Sequence, residues 1–170
     1  MQGSQYEREL RGILEGNLIT LQKVLKTCTT LEKECYLQIT EKPFAVIRAA
    51  GSLGVDLVAV RGDLSFLIEI KSSNSPTLHF SQMSGKLQQQ AISMKNLCQR
   101  TKTLPIYAFR LKNIRGDTWR FFTLDIKDLT GKIGIVHKRL PSLQMSKNKN
   151  YIMQWEQGMK LADFIRYISR

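Results

Sequence analysis

Three charged residues stand in two apolar segments of this chain, where an unpaired charge is costly. Asp56 lies in the segment Val55–Val60, and Glu69 and Lys71 lie in the segment Phe66–Lys71. Burying such a group costs several kcal/mol unless the group is paired or binds a metal. Two carboxylates can hold a divalent cation, and a neighbouring lysine can handle a proton. The three residues therefore predict a metal-assisted site, with a structural ion pair of Lys71 and one of the acids as the alternative.

The same two segments predict the secondary structure that must position these residues. A short turn at Arg61-Gly62-Asp63 separates them, so we expect two consecutive strands of a buried hairpin. Because side chains alternate along a strand, Glu69 and Lys71 should project from one face of the second strand. The hairpin is thus the expected scaffold of the site.

Hydrophobic periodicity predicts the elements around the hairpin. We expect helices at about 5–15, 18–26, 30–39, 81–99 (with Ser81 as N-cap) and 161–168, and strands at 44–49, 105–111, 119–124 and 133–136. A meander of three strands, a crossover helix and further strands favour an α/β fold with a mixed central β-sheet flanked by helices.

Length and charge restrict the possible functions. A chain of 170 residues predicts a single domain, 1–170, and its 42% hydrophobic content suffices for a core. Residues 1–80 hold nine Lys or Arg and nine Asp or Glu, whereas residues 81–170 hold seventeen and five, which accounts for the net charge of +12. This asymmetry predicts a nucleic-acid-binding surface built largely from 81–170 beside the metal site. A general solubility charge is the alternative, although such charge is usually mixed in sign.

Several other classes of protein are disfavoured. No apolar run approaches the roughly 20 residues that span a bilayer, and the N-terminal residues do not form a secretory signal, so we expect no membrane association. Cys28, Cys35 and Cys98 are odd in number and irregularly spaced, which is typical of reduced thiols in a cytoplasmic protein. With His79 and His137 as the only histidines, no zinc-binding spacing occurs.

Four segments carry a family resemblance. They are Tyr6-Glu7-Arg8-Glu9-Leu10, Phe44-Ala45-Val46-Ile47-Arg48-Ala49-Ala50-Gly51-Ser52, Val55-Asp56-Leu57-Val58-Ala59 and Leu67-Ile68-Glu69-Ile70-Lys71. Together they resemble the archaeal Holliday-junction resolvases, a branch of the PD-(D/E)xK nucleases with the restriction-endonuclease core. Arg-x-Ala-Gly-Ser followed closely by the aspartate is the specific part of this pattern. The resemblance covers most of the chain outside residues 16–42.

The resemblance implies roles for the residues of the site. Asp56 and Glu69 would bind Mg²⁺, with the backbone carbonyl of Ile70 as a third ligand and Mn²⁺ as an alternative ion. Lys71 would orient or deprotonate the attacking water, or steady the pentacovalent phosphate. Glu7 would reach the metal site through water. Hard oxygen ligands independently suit Mg²⁺ or Mn²⁺ rather than zinc.

The resemblance and the basic half together imply the DNA contacts. By resemblance, Arg8 and Arg48 would contact the scissile region or nearby phosphates, and Ser52 would lie on the loop beside the site. Glu9 is expected to be a solvated helix residue. The charge of residues 81–170 predicts further phosphate contacts, for example by Lys86, Arg110, Lys138 and Arg139.

One departure from the family pattern concerns the spacing of the acids. Glu7 and Asp56 are 49 residues apart, which is more than the simple core of the family needs. We therefore predict that residues 16–42 form a helical insertion, which would extend a dimer surface, contact a partner or cap the fold.

Three functions are compatible with these observations. The first is a homodimeric, metal-dependent endonuclease that resolves four-way DNA junctions by paired symmetric nicks, in recombination and repair. The second is a duplex endonuclease of restriction or repair type on the same core. The third is a catalytically inactive junction-binding protein, which the presence of Asp56, Glu69 and Lys71 disfavours. Clamp or branch-migration partners are not determined by the sequence.

Overall fold

A computed structural model describes residues 2–49, 54–81 and 85–170 of the chain. The strands are β1 (Ala45–Arg48), β2 (Leu57–Arg61), β3 (Leu64–Ser73), β4 (Thr77–His79), β5 (Leu104–Leu111), β6 (Trp119–Phe122), β7 (Gln144–Met145), β8 (Tyr151–Gln154) and β9 (Met159–Lys160). The helices are α1 (Gln2–Leu14), α2 (Leu18–Val24), α3 (Thr30–Leu37), α4 (Lys86–Thr101), α5 (Gly131–Arg139) and α6 (Leu161–Ile168). Short 3₁₀ turns occupy Leu25–Thr27, Gln38–Thr40 and Trp155–Gln157.

The centre of the molecule is a mixed sheet of six strands in the order β1-β2-β3-β5-β6-β9. The predicted hairpin is confirmed, because β2 pairs antiparallel with β3 and Arg61 stands opposite Leu64 beside the turn. Helix α4 then crosses over, and β5 pairs parallel with β3. The expected α/β class, with a mixed sheet between helices, is confirmed. A smaller sheet in the order β4-β8-β7 accompanies it.

The two faces of the sheet have separate cores because side chains alternate along β3. Phe66 and Ile68 pack in a cluster that also contains residues of α1, α3, α5 and α6, and we call this side the α6 face. Leu67 packs in a second cluster with Ala91 and Met94 of α4 and with residues of the smaller sheet, and we call this side the α4 face. Glu69 and Lys71 share the face of Leu67, so the site belongs to the α4 face.

The segment predicted as an insertion, residues 16–42, is packed into the domain. Its side chains Leu21, Cys35 and Tyr36 are buried in the cluster of the α6 face. Helices α1 and α2 approach so closely that a Cβ atom at Gly12 would lie 2.4 Å from Thr20 Oγ1. That this segment is an insertion relative to the family core stays a prediction.

Two details of the predicted secondary structure are wrong. Residues 133–136 belong to α5 rather than to a strand, because Ile133, Val136 and Leu140 recur at helical spacing and pack against the core. Helix α4 begins at Lys86 and not at Ser81. Its N-cap is Gly85, whose φ of +73° is outside the right-handed helical region, so the helix cannot extend regularly through it.

Candidate active site

The hairpin and its neighbours bring the predicted acids together at one end of the sheet. Asp56 immediately precedes β2, and its backbone N–H donates to Ile68 of β3 at 2.9 Å. This hydrogen bond extends the β2–β3 pairing by one residue beyond Leu57. Asp56 therefore lies beside β3, the strand that carries Glu69 and Lys71. The register of the hairpin therefore decides that the two acids and the lysine converge.

Asp56 is held by the backbone of the neighbouring strand. Its Oδ2 accepts a hydrogen bond from the backbone N–H of Ile70 at 2.7 Å. Burial raises the pKa of Asp56, the Ile70 hydrogen bond and the charge of Lys71 lower it, and the charge of Glu7 raises it again. The carboxylate is thus fixed in orientation, and Glu7 is close enough to act on it electrostatically.

Glu69 is the more buried acid, with a relative exposure of 3%. Its Oε1 accepts hydrogen bonds from Lys71 Nζ at 2.7 Å and from Gln90 Nε2 at 2.8 Å. Its Oε2 is buried and accepts none within the described structure. Burial raises the pKa of Glu69 to about 6, Lys71 lowers it, and Asp56 raises it.

Gln90 is a member of the site that the sequence analysis missed. Besides donating to Glu69, its Oε1 accepts a hydrogen bond from Lys71 Nζ at 3.1 Å, so one amide of α4 holds both residues of β3. The sequence gives one hint of this role: Gln90 is a polar residue of α4 and directly precedes Ala91, which is buried in the core. That signal identifies a partner only when the packing of α4 on β3 is known.

Glu7 of α1 lies on the side of the site that is formed by β1. Arg48 contacts Glu7 Oε2 through Nε at 3.0 Å and through Nη2 at 2.7 Å. The charge of Glu7 raises the pKa of Asp56. That Glu7 is the helix acid of the metal site stays a prediction.

Glu9 is not the solvated residue that was expected. Its Oε1 accepts hydrogen bonds from Arg110 Nε and from Trp119 Nε1, both at 2.8 Å. The Arg110 guanidinium also lies over the Tyr6 ring, 4.4 Å from its centroid. The expectation for Glu9 was wrong because the adjacent strands β5 and β6 supply donors that helical periodicity cannot reveal.

The residues of the site fit a hard divalent cation. The carboxylate oxygens of Asp56 and Glu69 are the donor type that Mg²⁺ and Mn²⁺ prefer, and the unpartnered Oε2 of Glu69 is a buried acceptor that a cation would satisfy. Within the described residues, no group of three His, Cys, Asp or Glu side chains forms a metal cluster. The backbone carbonyl of Ile70 is the predicted third ligand, and it would add a further hard oxygen donor.

The residues predicted to contact DNA lie in several places. Ser52 falls outside the described residues. Arg8 and Arg110 line a cleft of about 350 Å³ between α1, α2 and the end of β5. Lys86 is exposed at the start of α4.

Lys138 and Arg139 are separated from the acids by the sheet. They line a cavity of about 800 Å³ together with Arg166 and Arg170 of the C-terminal region. Helix α5, which carries them, packs on the α6 face through Val136. Their contact with DNA stays a prediction, and it would involve a surface other than the immediate surroundings of the site.

Comparison with known proteins agrees with the fold and gives the family. The family model "Archaeal holliday junction resolvase (hjc)" matches residues 23–169, and the chain belongs to this family. The class of protein is thus a junction-resolving nuclease that acts on DNA, as the resemblance implied. The matched range contains Asp56, Glu69 and Lys71 but not Glu7 or Arg8.

A solved structure shares the fold. Hjc of Archaeoglobus fulgidus, a Holliday junction resolvase from an archaeal hyperthermophile, is 20% identical, with a TM-score of 0.55 over 97% of this chain and 96% of that one. No curated protein sequence matches this chain. None of the helices in the described residues combines the length and apolar character that crossing a bilayer requires.

Proposed function

We propose that this nuclease uses Mg²⁺, or Mn²⁺ in its place, to cut four-way DNA junctions by paired symmetric nicks as a homodimer. The observation that supports the metal most directly is Glu69 Oε2, a buried carboxylate oxygen without a hydrogen-bond donor next to Asp56. Leaving such an acceptor unsatisfied costs roughly 1–3 kcal/mol, which a bound cation would offset. The chromosomal DNA of the cytoplasm would supply the substrate.

Asp56 and Glu69 would hold the ion, with the Ile70 carbonyl as a further ligand. A divalent cation at this position supplies Lewis-acid stabilisation of the phosphoryl oxygens and lowers the pKa of water. The chain prepares both carboxylates for that task, because the Ile70 N–H orients Asp56 while Lys71 and Gln90 orient Glu69. Glu7 would contribute through water.

Lys71 is proposed to act directly on the reaction. Its ammonium group is held between Glu69 Oε1 and Gln90 Oε1, at 2.7 and 3.1 Å. From there it would donate to the attacking water or to a phosphoryl oxygen, where preorganised positive charge stabilises the transition state. Arg48, fixed by Glu7, would stand beside the same phosphate.

The remaining predicted contacts would bind the arms of the junction through phosphates rather than bases. Lys86, Lys138 and Arg139 would contact the arms, and Arg8 and Ser52 would contact the phosphates nearest the cut. Since Arg110 is already paired with Glu9, we assign it an indirect contribution that shapes the cleft near Arg8.

A dimer would explain how one site per chain makes two cuts. A four-way junction has approximate two-fold symmetry, and two-fold homodimers are the commonest oligomers. Two copies related in this way would place their sites symmetrically about the branch point. Light scattering of the free protein should therefore give twice the mass of 19.5 kDa.

One cleavage experiment tests the proposal. A junction and a linear duplex with the same arm sequences, each with one labelled strand, are incubated with the protein in Mg²⁺, in Mn²⁺ and in EDTA. We expect symmetric nicks in opposite strands of the junction with either metal, little cutting of the duplex, and none in EDTA. Equal cutting of the linear duplex would instead identify a duplex endonuclease, and binding without any cutting would identify an inactive junction-binding protein.

A further inference from the structure

A lysine-bearing hairpin contacts helix α4, which also carries Gln90 of the proposed site, and none of its residues has been assigned a role so far. It consists of β7, β8 and the turn between them, residues 144–154, and we call it the lysine hairpin. Its exposed turn carries Lys147 and Lys149. We propose that the lysine hairpin binds the phosphodiester backbone of the DNA strand leading to the cut. The inference rests on the proposed function and adds a DNA-binding element to it.

The lysine hairpin belongs to the same side of the molecule as the acids. Strand β8 pairs with β4 in the smaller sheet, and its residues Tyr151 and Met153 are buried in the cluster of the α4 face. Leu67 of β3 belongs to this cluster, and Glu69 and Lys71 follow it on the same face of the strand. DNA bound at the site would therefore approach the side of the sheet on which the lysine hairpin stands.

Helix α4 connects the lysine hairpin to the site through two glutamines. Gln88 Oε1 accepts a hydrogen bond from the backbone N–H of Tyr151 at 2.7 Å, and Gln88 Nε2 donates to the carbonyl of Lys149 at 3.5 Å. Two residues later, Gln90 binds Glu69 and Lys71. The Cα atoms of residues two apart in a helix are roughly 5 Å from each other. The first turns of α4 thus hold both the site and the base of the lysine turn.

Backbone hydrogen bonds define the conformation of the turn that carries the two lysines. Ser146 N–H donates to the carbonyl of Asn150 at 2.8 Å, and Lys149 N–H donates to the carbonyl of Ser146 at 2.9 Å. Lys149 has a φ of +59°, a left-handed conformation that the turn imposes. A preorganised backbone lowers the entropy that is lost when a ligand binds.

The charge around the turn favours a polyanion. The sequence contains no Asp or Glu between Leu129 and Trp155, and the turn adds Asn148 and Asn150 as neutral hydrogen-bonding groups. No ion pair of the described residues involves Lys147 or Lys149. Exposed cations that no local acid neutralises are suited to phosphate oxygens, whose counterions are released on binding.

Salt dependence of binding gives the first test. The variant is Lys147→Ala with Lys149→Asn, since Asn tolerates the left-handed conformation. The control, Lys26→Ala with Lys33→Ala, removes the same charge from exposed positions in the 16–42 segment. Junction affinity is measured in EDTA over a range of salt concentrations, and thermal unfolding shows that each variant is folded.

We expect the lysine-hairpin variant to bind roughly tenfold or more weakly, with a log–log salt slope shallower by about 3.6, which corresponds to two lost phosphate contacts in each protomer of the dimer. The control should keep the wild-type slope to within a few tenths. A wild-type slope for the lysine-hairpin variant would overturn the proposal, and so would an equal loss in the control.

Cross-linking tests where the hairpin lies on the DNA. A Lys149→Cys variant is labelled with an azidophenacyl group, for which Cys28, Cys35 and Cys98 compete little because they are buried. Irradiation should link it to one strand within roughly five nucleotides of the cut, since each nucleotide advances about 3.4 Å along the helix axis. Lys33→Cys serves as the control. Cross-links found only at distant arm positions, or none, would contradict the assignment.

Gln88 tests whether the lysines must be held in place. Gln88→Ala removes no charge, yet it should flatten the salt slope and spread the cross-links over more nucleotides. A purely structural role would lower the melting temperature without moving the cross-links, and that outcome would remove Gln88 as a positioning residue.

The inference and the proposed function can fail separately. If the wild-type protein cuts junctions but the hairpin variant keeps its slope, the hairpin proposal fails and the nuclease proposal stands. If the wild-type protein cuts no junction while Lys149→Cys still cross-links to a defined DNA strand, the proposed cleavage fails and the hairpin remains a DNA-binding element.

Discussion

Two carboxylates of this protein are buried equally and bonded differently. Glu69 and Asp117 each have a relative exposure of 3%. Asp117 uses both oxygens, since Oδ1 accepts from the Tyr36 hydroxyl at 2.7 Å and from the Trp119 N–H at 3.2 Å, and Oδ2 accepts from the Ala162 N–H at 2.9 Å. At Glu69, both hydrogen bonds are accepted by Oε1, and Oε2 accepts none.

The difference distinguishes a structural acid from an acid that we propose to bind the metal. Burial raises the pKa of both groups. At Asp117 the donors come from α3, β6 and the start of α6, so the acid joins three elements and nothing remains for a ligand to satisfy. At Glu69 the fold keeps an unpartnered acceptor near a second acid. This arrangement costs stability, and a bound cation would offset that cost.

The largest effect is expected from removing the charge of a proposed metal ligand. Glu69→Gln, or Asp56→Asn, should lower single-turnover cleavage of a junction by a thousandfold or more, about as much as losing a main electrostatic stabiliser. Junction binding in EDTA should stay the same or tighten, because a negative charge near the phosphates is removed. Cleavage near the wild-type rate by either variant would show that these acids are not the site.

A smaller loss is expected from Gln90, which orients Lys71 and Glu69. Gln90→Leu should slow junction cleavage by about 10- to 100-fold, the usual effect of losing a residue that orients a metal ligand. The matched control is Gln89→Leu, at an exposed position of the same helix. If both variants cut at the same rate, the hydrogen bonds of Gln90 do not contribute to cleavage.

Asp117 should show the opposite behaviour. Asp117→Asn replaces one carboxylate oxygen by an amide N–H, which would face groups that now donate hydrogen bonds to Asp117. We therefore expect the free energy of unfolding to fall by about 1–3 kcal/mol and the melting temperature to fall by roughly 2–10 °C. Cleavage at 25 °C should stay close to the wild-type rate. A variant as stable as the wild type but unable to cut would invalidate the comparison between the two acids.

The pH dependence of stability gives the smallest effect. Burial raises the pKa of Glu69 from 4.5 to about 6, so between these pH values the folded protein binds more protons than the unfolded chain. In EDTA, the stability of the wild type should therefore fall as pH rises through this window, by about 2 kcal/mol from Glu69. The raised pKa of Asp56 acts in the same direction. Denaturant titrations of wild type and Glu69→Gln should diverge as pH rises, and parallel curves would contradict the cost assigned to Glu69.

Local patterns predicted the elements that carry the proposed chemistry. The β2–β3 hairpin, the strands β1, β5 and β6 and the helix α6 lie close to their predicted positions, because each is a mainly apolar segment that stands out from the sequence around it. Residues 133–136 were assigned to the wrong class, because a short apolar run fits a strand and a buried helix equally well.

The partners of charged residues were harder to predict. Glu9 is paired with Arg110 and Trp119, which are 101 and 110 residues away in sequence. Gln90 reaches Glu69 across 21 residues, and its role depends on how α4 lies on β3. Such contacts come from the packing of distant elements, which has no signature in residue spacing.

The sequence by itself determined that two acids and a lysine would stand on one hairpin, because strand alternation and a two-strand register follow from local residue order. It also determined that the basic charge would concentrate in residues 81–170. Only the tertiary structure decided that Glu69 keeps an unpartnered oxygen while Asp117 has none, and that Lys138 and Arg139 stand on the face opposite the acids. Those features depend on which donors and elements the packing brings to each face of the sheet, and distance along the chain does not specify them.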